Sequence, residues 1–333
     1  MRKKRSRWDV GPDGTDVKVK TKRPKLSPRY ESLAEFIRWA EECDLCMVYA
    51  RLRQVLPILR ELDRMVGMMS LKKSVIDQVL FSVQGLCSHR DAMHHTVLYG
   101  PPGSGKTSTA KILGRLYAAL GLLSRGHFSV ACRADLIGQY LGSTTQKTQR
   151  VLEASLGGVL FIDEFYSLGN RENRDSYSKE CLDCMVAFMS EHAQDFILIV
   201  AGYKDAIDRN IFAANEGLKR RFPFRYELSQ YSATDLKSIF VEQVRSAGWH
   251  LEDEGTLPVE LIETNKQFFA NSGGDTLNLF NKSTLAYAKR AFADFSVMFK
   301  VLSRADIEAG LEQHKSHSDK EDDTWESVRH MYT

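Results

Sequence analysis

Two short segments of the sequence hold residues whose types and spacing suit phosphate chemistry. The first, 100–107, reads Gly-Pro-Pro-Gly-Ser-Gly-Lys-Thr and fits the pattern G-x-x-x-x-G-K-[ST]. Its glycines let consecutive backbone N–H groups face one anion, and a helix starting near Lys106 directs its positive end at the same anion. Lys106 can then reach the outer phosphates of a nucleotide, and the Thr107 hydroxyl can ligate Mg²⁺. The apolar run Thr96–Tyr99 before the segment and the helical pattern after it favour this site over a glycine-rich turn that binds nothing.

The second segment, 157–164, reads Gly-Gly-Val-Leu-Phe-Ile-Asp-Glu. A buried strand that ends in two adjacent carboxylates suits a segment that acts on the nucleotide together with the phosphate loop. Asp163 would hold the Mg²⁺ shell, while Glu164 would orient and deprotonate an attacking water. The alternative is an acidic turn after a core strand. Together the two segments predict hydrolysis of a nucleotide rather than nucleotide binding alone.

The elements that must position these residues follow from the hydrophobic pattern. Five short apolar or β-branched runs are predicted strands: His95–Tyr99, His127–Cys132, Val159–Ile162, Phe196–Ala201 and Phe224–Leu228. Three intervening segments have a helical period: Lys106–Gly121, Thr144–Leu156 and Lys179–His192. Strands that alternate with helices predict an α/β fold, with a parallel sheet covered by helices on both faces.

The flanking segments read as helical. Residues 32–86 have a helical pattern that Pro57 and Gly67 are expected to interrupt. No strand is predicted after Leu228, and Ser232–Asp235 has the spacing of a helix-capping box. The predicted organisation has five parts: a basic leader without ordered structure (1–29), an N-terminal helical segment (30–64), an α/β nucleotide-binding domain (65–228), a small all-helical lid domain (229–312) and a flexible tail (313–333).

The composition favours an intracellular globular protein. The chain has 333 residues, of which 43% are hydrophobic and 27% charged. No apolar run approaches the roughly 18–20 residues that span a bilayer, and the basic N-terminus lacks the apolar stretch of a secretory signal. A cytoplasmic or nuclear protein without a membrane partner is therefore expected. The six cysteines include the pairs Cys43/Cys46 and Cys181/Cys184, which we interpret as reduced structural thiols rather than zinc ligands.

The positive charge is concentrated at one end of the chain. Residues 1–30 contain 11 Lys or Arg and 3 Asp, whereas the remaining 303 residues contain 35 Lys or Arg and 40 Asp or Glu. The clusters Arg2–Arg7 and Lys18–Lys25 fit a nuclear-import signal, a nucleic-acid arm or a solvated tail.

Four motifs in this order resemble those of AAA+ ATPases, which are P-loop NTPases. They are 100–107, 160–164, Ala201-Gly-Tyr203 and Asn215–Pro223, and the resemblance covers about residues 60–312. The closest branch is the CbxX/CfqX type, which includes red-type Rubisco activase. The sequences of the segments Asn215–Pro223 and Gly273–Leu279 are similar to those of family members in large DNA viruses and some protists.

The resemblance implies ATP and Mg²⁺ as cofactors. It places Val66 and Gly67 against adenine, and the phosphate loop supplies the remaining nucleotide-binding residues: Pro102, Gly103, Ser104, Gly105, Lys106, Thr107 and Ser108. Thr107 and Asp163 are the expected metal ligands. Tyr203 occupies the sensor position after the fourth strand, where many AAA+ proteins have Asn.

The resemblance also implies a ring, with a hexamer expected. Arg221 matches the arginine finger that a neighbouring subunit inserts at the γ-phosphate, with Arg220 as the alternative. Tyr140 and Leu141 match a pore loop that grips a peptide, the alternative being a tyrosine packed at a helix end. Asn170–Glu180 stands where a second pore loop is expected.

One departure concerns the lid. The arginine with which the family's lid usually contacts the nucleotide corresponds to Leu277, and residues 271–280 contain no basic side chain. Coupling between the lid and the nucleotide is therefore expected either to use another residue, with Lys282 as the candidate, or to have no such residue. The favoured function is a ring ATPase that remodels or threads a protein. The alternatives are a nucleic-acid loader or packaging factor that binds through residues 1–29, and a nucleotide-gated scaffold.

Overall fold

The structure is a computed structural model that describes most of the chain. The described residues are 31–42, 50–86, 93–140, 142–169, 176–253, 255–269, 271–293 and 299–315. The basic leader, Cys43 and Cys46, Leu141, residues 170–175 of the second pore-loop segment and the tail from residue 316 lie outside them. The predictions made for those residues stay predictions.

A five-stranded parallel sheet, in the order β2-β3-β4-β1-β5, forms the centre of the fold. Its strands are β1 Thr96–Tyr99, β2 Phe128–Ala131, β3 Val159–Ile162, β4 Ile197–Gly202 and β5 Phe224–Glu227. Each lies within or overlaps a run predicted from the sequence, which confirms the α/β fold class. The three inner strands are buried at every residue, as expected for strands covered on both faces.

The described helices precede, flank and follow the sheet. They are α1 Leu33–Glu42, α2 Ala50–Arg64, α3 Met69–Val83, α4 Lys106–Ala119, α5 Arg133–Leu136, α6 Ser143–Ala154, α7 Ser176–Glu191, α8 Lys204–Ile207, α9 Glu216–Arg220, α10 Ala233–Ser246, α11 Val259–Thr264, α12 Gly273–Ala293 and α13 304–315. Two short 3₁₀ helices span Phe165–Leu168 and Lys266–Phe269, and a π-helical turn spans Asp208–Phe212.

The N-terminal helices pack on one face of the sheet together with α4. Their buried side chains, such as Leu59 and Leu62, join those of β1, β3 and β4 in one hydrophobic cluster. The predicted interruption at Pro57 is wrong, because α2 continues through it. Proline removes one backbone hydrogen bond from a helix interior. Here Leu52, Val55 and Leu59 are buried around an exposed proline ring, so the packed face keeps the helix continuous.

The other face of the sheet is covered by α6, α7 and the segment between β4 and β5. Met185 and Phe188 of α7, with Phe212 and Phe222, belong to a second cluster that includes Leu160 and Leu198 from the sheet. The sheet is thus the middle of three layers, and the carboxyl ends of its strands remain uncovered by this packing.

The C-terminal region is helical, with a third cluster built around Phe240, Leu279 and Leu302. It also contains a two-residue parallel pair, β6 His250–Leu251 and β7 Val301–Leu302, which the sequence analysis did not predict. Because each strand has only two residues, no alternation was visible. In the part of the chain that is described, no helix has the length and apolar character needed to cross a membrane.

Candidate active site

The phosphate-loop motif connects the carboxyl end of β1 to the start of α4. Gly103 and Gly105 adopt φ angles of 68° and 83°, in the left-handed region that favours glycine. Gly105 is the N-cap of α4, so Lys106 and Thr107 occupy the first turn of the helix. This geometry turns backbone N–H groups and the positive helix end toward one site, which suits an anion.

The Lys106 ammonium is held within the loop. Its Nζ donates to the carbonyl oxygens of Gly100 at 3.0 Å and Pro101 at 2.7 Å. Burial lowers the pKa of Lys106, while the nearby carboxylates Asp163 and Glu164 raise it in part. A lysine between phosphate-loop carbonyls and two carboxylates is placed to neutralise the charge of an incoming phosphate.

The two carboxylates follow β3 directly. Asp163 Oδ1 accepts the backbone N–H of Glu164 at 2.9 Å. Glu164 itself has a φ of 48° and a ψ of 42°, a left-handed conformation that costs free energy in a residue other than glycine. The turn is held by the Glu164 carbonyl, which accepts the Ser167 N–H at 2.8 Å. Glu164 is exposed and lines the cavity.

These elements surround a cavity of about 770 Å³ at the carboxyl ends of the strands. That volume is in the range of small-molecule sites in proteins. Ten of the predicted nucleotide and catalytic residues line it: Val66, Pro102, Gly103, Gly105, Lys106, Thr107, Ser108, Asp163, Glu164 and Tyr203. Ser104 is buried behind the loop, where its hydroxyl donates to the Pro101 carbonyl at 2.8 Å.

Apolar side chains line the cavity beside the charged ones. They include Met65 and Val66, from the turn after α2, and Ile239 of the lid helix α10. Gly67, with a φ of 74°, shapes that turn without lining the cavity. Apolar side chains beside a phosphate loop suit a flat heterocyclic base, and the charged residues suit its phosphates.

Thr107 and Asp163 could hold a Mg²⁺ ion. Both line the cavity, and a hydroxyl together with a carboxylate, completed by phosphate oxygens and water, is the donor set that Mg²⁺ prefers. The described residues contain no group of three or more His, Cys, Asp or Glu arranged for a metal. Cys181 is buried, and burial raises the pKa of its thiol to about 11.

Tyr203 follows β4 and lines the same cavity. Its ring contacts that of Tyr166 with centroids 5.7 Å apart, and Tyr203 is 45% exposed. The sequence analysis did not single out Tyr166, whose pKa is raised by burial and by the negative charge of Glu164. The pair lies next to the carboxylate turn.

Arg221 does not line the cavity. Its guanidinium donates to the Ser190 hydroxyl of α7, with Nε and Nη2 at 3.0 and 2.6 Å, and to the Gly217 carbonyl at 2.9 Å. The neighbouring Arg220 is exposed and forms an ion pair with Glu216. The two arginines therefore differ in one respect, since only Arg221 is fixed to the body of the fold.

Tyr140 precedes α6 at a tight turn. Its side chain is 74% exposed, and Ser143 closes the turn by donating from its backbone N–H and its hydroxyl to the Tyr140 carbonyl. An exposed ring does not fit the alternative of a tyrosine packed in the core. Tyr140 does not line the cavity.

The lid contributes residues to the cavity that the sequence analysis missed. Tyr231, Glu242, Gln243 and Gly273 line it, together with Ile239. Leu277 is 45% exposed and does not line the cavity. Lys282, the suggested substitute for the lid arginine, donates to the Gln313 carbonyl at 3.0 Å within the lid. In sequence, only the helical spacing of Ile239 and Gln243 on α10 could have indicated a shared face.

Comparison with known proteins agrees with this geometry. The model of the ATPase family associated with various cellular activities, AAA, matches residues 96–228. The chain is 32% identical over 248 residues to the chromosomal protein CbxX of Cupriavidus necator, covering 71% of this chain and 77% of that protein. The chain is a member of the AAA ATPase family. Membership implies nucleotide binding and ATP hydrolysis.

The likeness to CbxX and to a cfxQ-like protein places this AAA ATPase in the CbxX/CfxQ group. It is 36% identical over 262 residues to a cfxQ-like protein of Acanthamoeba polyphaga mimivirus, covering 77% of this chain but 64% of that protein, less than two thirds. It is 34% identical over 243 residues to stage V sporulation protein K of Bacillus subtilis, covering 69% of this chain and 74% of that protein. The viral likeness noted in the sequence is thus confirmed.

A solved structure confirms the fold. The FIGL-1 AAA domain in complex with ADP superposes with a TM-score of 0.52 at 16% identity, covering 77% of this chain and 87% of that domain. At that identity the likeness concerns the arrangement of sheet and lid, not the residues of the site.

Proposed function

We propose that this AAA ATPase hydrolyses ATP with Mg²⁺ at the cavity described above and acts as a ring that remodels a protein. The observation that carries the proposal is the convergence of Lys106, Thr107, Asp163 and Glu164 on one cavity. Lys106 and the loop N–H groups bind the phosphates. Thr107 and Asp163 would hold the metal ion, which would supply positive charge at the γ-phosphate. Glu164, exposed and adjacent, accepts the proton of the attacking water.

The proposed ring follows from Arg221. A guanidinium that completes a phosphate site stabilises charge on the equatorial oxygens, an effect of about 10³–10⁵ in rate in phosphoryl transfer. Arg221 is outside its own cavity, and its hydrogen bonds to Ser190 and Gly217 hold it in one orientation. A fixed arginine of this kind suits the site of a neighbouring subunit, and an ATPase that needs it must assemble.

A mixing experiment tests the ring. At constant total protein concentration, increasing fractions of Arg221→Ala subunits should lower the ATPase rate more steeply than in proportion to their fraction. Arg220→Ala is the matched control, because that side chain is exposed and paired only with Glu216, and it should leave the rate near that of the wild type. A strictly proportional loss with Arg221→Ala would refute coupling between the sites of a ring. If Arg220→Ala subunits instead lowered the rate more steeply than in proportion, Arg220 rather than Arg221 would be the arginine that acts at a neighbouring site.

The proposed work on a protein rests on Tyr140. An exposed aromatic side chain on a tight turn can grip a peptide in a channel, and no role at the nucleotide cavity competes with this one. Casein, an unfolded polypeptide, is expected to stimulate the ATPase. Tyr140→Ala should keep the basal rate and lose the stimulation, while Phe292→Ala, which removes an aromatic ring 85% exposed on the lid, should keep both. Full stimulation of Tyr140→Ala by casein would refute the pore-loop role.

A further inference from the structure

Two hydrogen bonds connect the lid side of the molecule to the backbone of the phosphate loop. The Tyr231 hydroxyl donates to the Ser104 carbonyl at 3.0 Å, and the Gly273 N–H donates to the Gly103 carbonyl at 3.2 Å. Tyr231 stands in the link between β5 and α10, and Gly273 is the first residue of α12. Consecutive carbonyls of the phosphate loop are therefore held by groups that belong to the lid and its connection.

The planarity of the peptide group gives these contacts a consequence. In a trans peptide the carbonyl and the N–H of one peptide unit point in opposite directions. A hydrogen bond that fixes the Ser104 carbonyl therefore also fixes the Gly105 N–H, on the side away from Tyr231. Gly105 lines the cavity and has a φ of 83°. The orientation of one phosphate-binding donor thus depends on a tyrosine outside the phosphate motif.

Tyr231 fits closely at this position. A Cβ on Gly67 would lie 3.7 Å from its Cε1, and a Cβ on Gly105 would lie 3.6 Å from its hydroxyl oxygen. The ring is therefore close to both the turn at Gly67 and the phosphate loop. Burial raises the pKa of the Tyr231 hydroxyl, which keeps it a hydrogen-bond donor across the neutral range.

The start of α12 is held in a similar way. Gln243 Nε2 donates to the Gly273 carbonyl at 3.0 Å, and Asp275 Oδ2 accepts the Asn271 N–H at 2.7 Å. This segment reaches the phosphate loop through its backbone, whereas the exposed Leu277 contributes no charge to the cavity. The structure thus offers a contact between lid and phosphate loop that needs no lid arginine.

We propose that Tyr231 is a positioning residue for the phosphate loop, and that its hydroxyl links the lid to phosphate binding by orienting the Ser104–Gly105 peptide. The proposal rests on the nucleotide site proposed above. Loss of this hydroxyl should release the peptide and weaken binding of the phosphates, while binding of the base is unaffected.

Removal of a single oxygen tests the proposal. Tyr231→Phe keeps the ring and removes the hydrogen bond. The matched control is Tyr226→Phe, which removes a hydroxyl bonded to Ser74 Oγ at 2.7 Å and Gln78 Nε2 at 2.9 Å, away from the cavity. Dissociation constants are measured by calorimetry for ADP and for adenosine, which has the base but no phosphate.

Tyr231→Phe should weaken ADP about 3- to 10-fold, the usual effect of one hydrogen bond, and leave adenosine unchanged. Hydrogen exchange in residues 271–276 of the ADP complex should become faster than in the wild type. Tyr226→Phe should change neither affinity nor exchange.

Three results would overturn the proposal. Unchanged ADP affinity in Tyr231→Phe would show that the hydroxyl does not position the loop. Equal losses for ADP and adenosine would mean that Tyr231 acts by packing rather than through the peptide. A loss of the same size in Tyr226→Phe would point to general destabilisation. Wild-type protein that binds ADP no better than Lys106→Ala would instead refute the nucleotide site itself, and that comparison is made first.

Discussion

Gly103→Ala is the substitution for which the structure gives the sharpest expectation. A Cβ at this position would lie 1.7 Å from the Asn271 carbonyl oxygen and 2.6 Å from its carbonyl carbon, and both atoms belong to the backbone. Carbon and oxygen in contact need a separation of about 3.2 Å, so the lid segment must move by about 1.5 Å. That movement breaks the hydrogen bond from the Gly273 N–H to the Gly103 carbonyl.

Gly85→Ala supplies a matched control. Gly85 has the same φ of 68° as Gly103, but a Cβ there would meet nothing within 4 Å. Both variants carry the left-handed strain of about 1–2 kcal/mol, and only Gly103→Ala adds a steric clash, which costs about 1–3 kcal/mol more. Urea denaturation should therefore show a larger loss of stability for Gly103→Ala by that difference, with faster hydrogen exchange in residues 271–276. Equal losses in the two variants would refute the close contact between lid and phosphate loop.

Two further predictions concern stability. Burial lowers the pKa of His94 to about 4 and that of His95 to about 3, below the value of 6.5 for exposed rings. The unfolded chain therefore binds more protons below pH 6.5, and stability should fall as the pH falls, by about 2 kcal/mol per ring at pH 5. Urea titrations at pH 7.5 and 5 measure the slope. His94→Phe should remove about half of this histidine contribution, and an unchanged slope would contradict the burial argument. Pro57→Ala should raise the free energy of unfolding by about 1–3 kcal/mol, because it restores a hydrogen bond inside α2. A lower denaturation midpoint would show that the proline ring itself stabilises the packing.

Most of the sheet could be predicted because its strands are short apolar runs bounded by turns. The predicted run Val159–Ile162 coincides with β3, and the other four differ from the observed strands by one residue at one or both ends. Pro57 was misjudged because local propensity says nothing about Leu52, Val55 and Leu59, whose burial on the sheet side decides the helix. The β6–β7 pair joins segments about fifty residues apart in sequence and is too short for a pattern.

The motif residues of the candidate site were visible in sequence because phosphate binding needs glycine, lysine and carboxylate at fixed spacing. Their surroundings were not. Tyr231 meets Ser104 across 127 positions of sequence, and Arg221 meets Ser190 across 31. Such contacts depend on how the lid and α7 pack, and no local pattern records them. The absence of an arginine at Leu277 raised the question of how the lid is coupled, and the packing of Tyr231 suggests an answer.

The measurement that tests the central claim most directly is steady-state ATP hydrolysis with Mg²⁺ by wild type and by Glu164→Gln, together with ADP affinity for both. The account predicts measurable turnover by the wild type and a rate lower by about 10²–10⁴ in Glu164→Gln, with similar ADP affinity, since the carboxylate acts on water rather than on the nucleotide. If Glu164→Gln hydrolysed ATP at the rate of the wild type, that result would contradict the assigned role of this cavity.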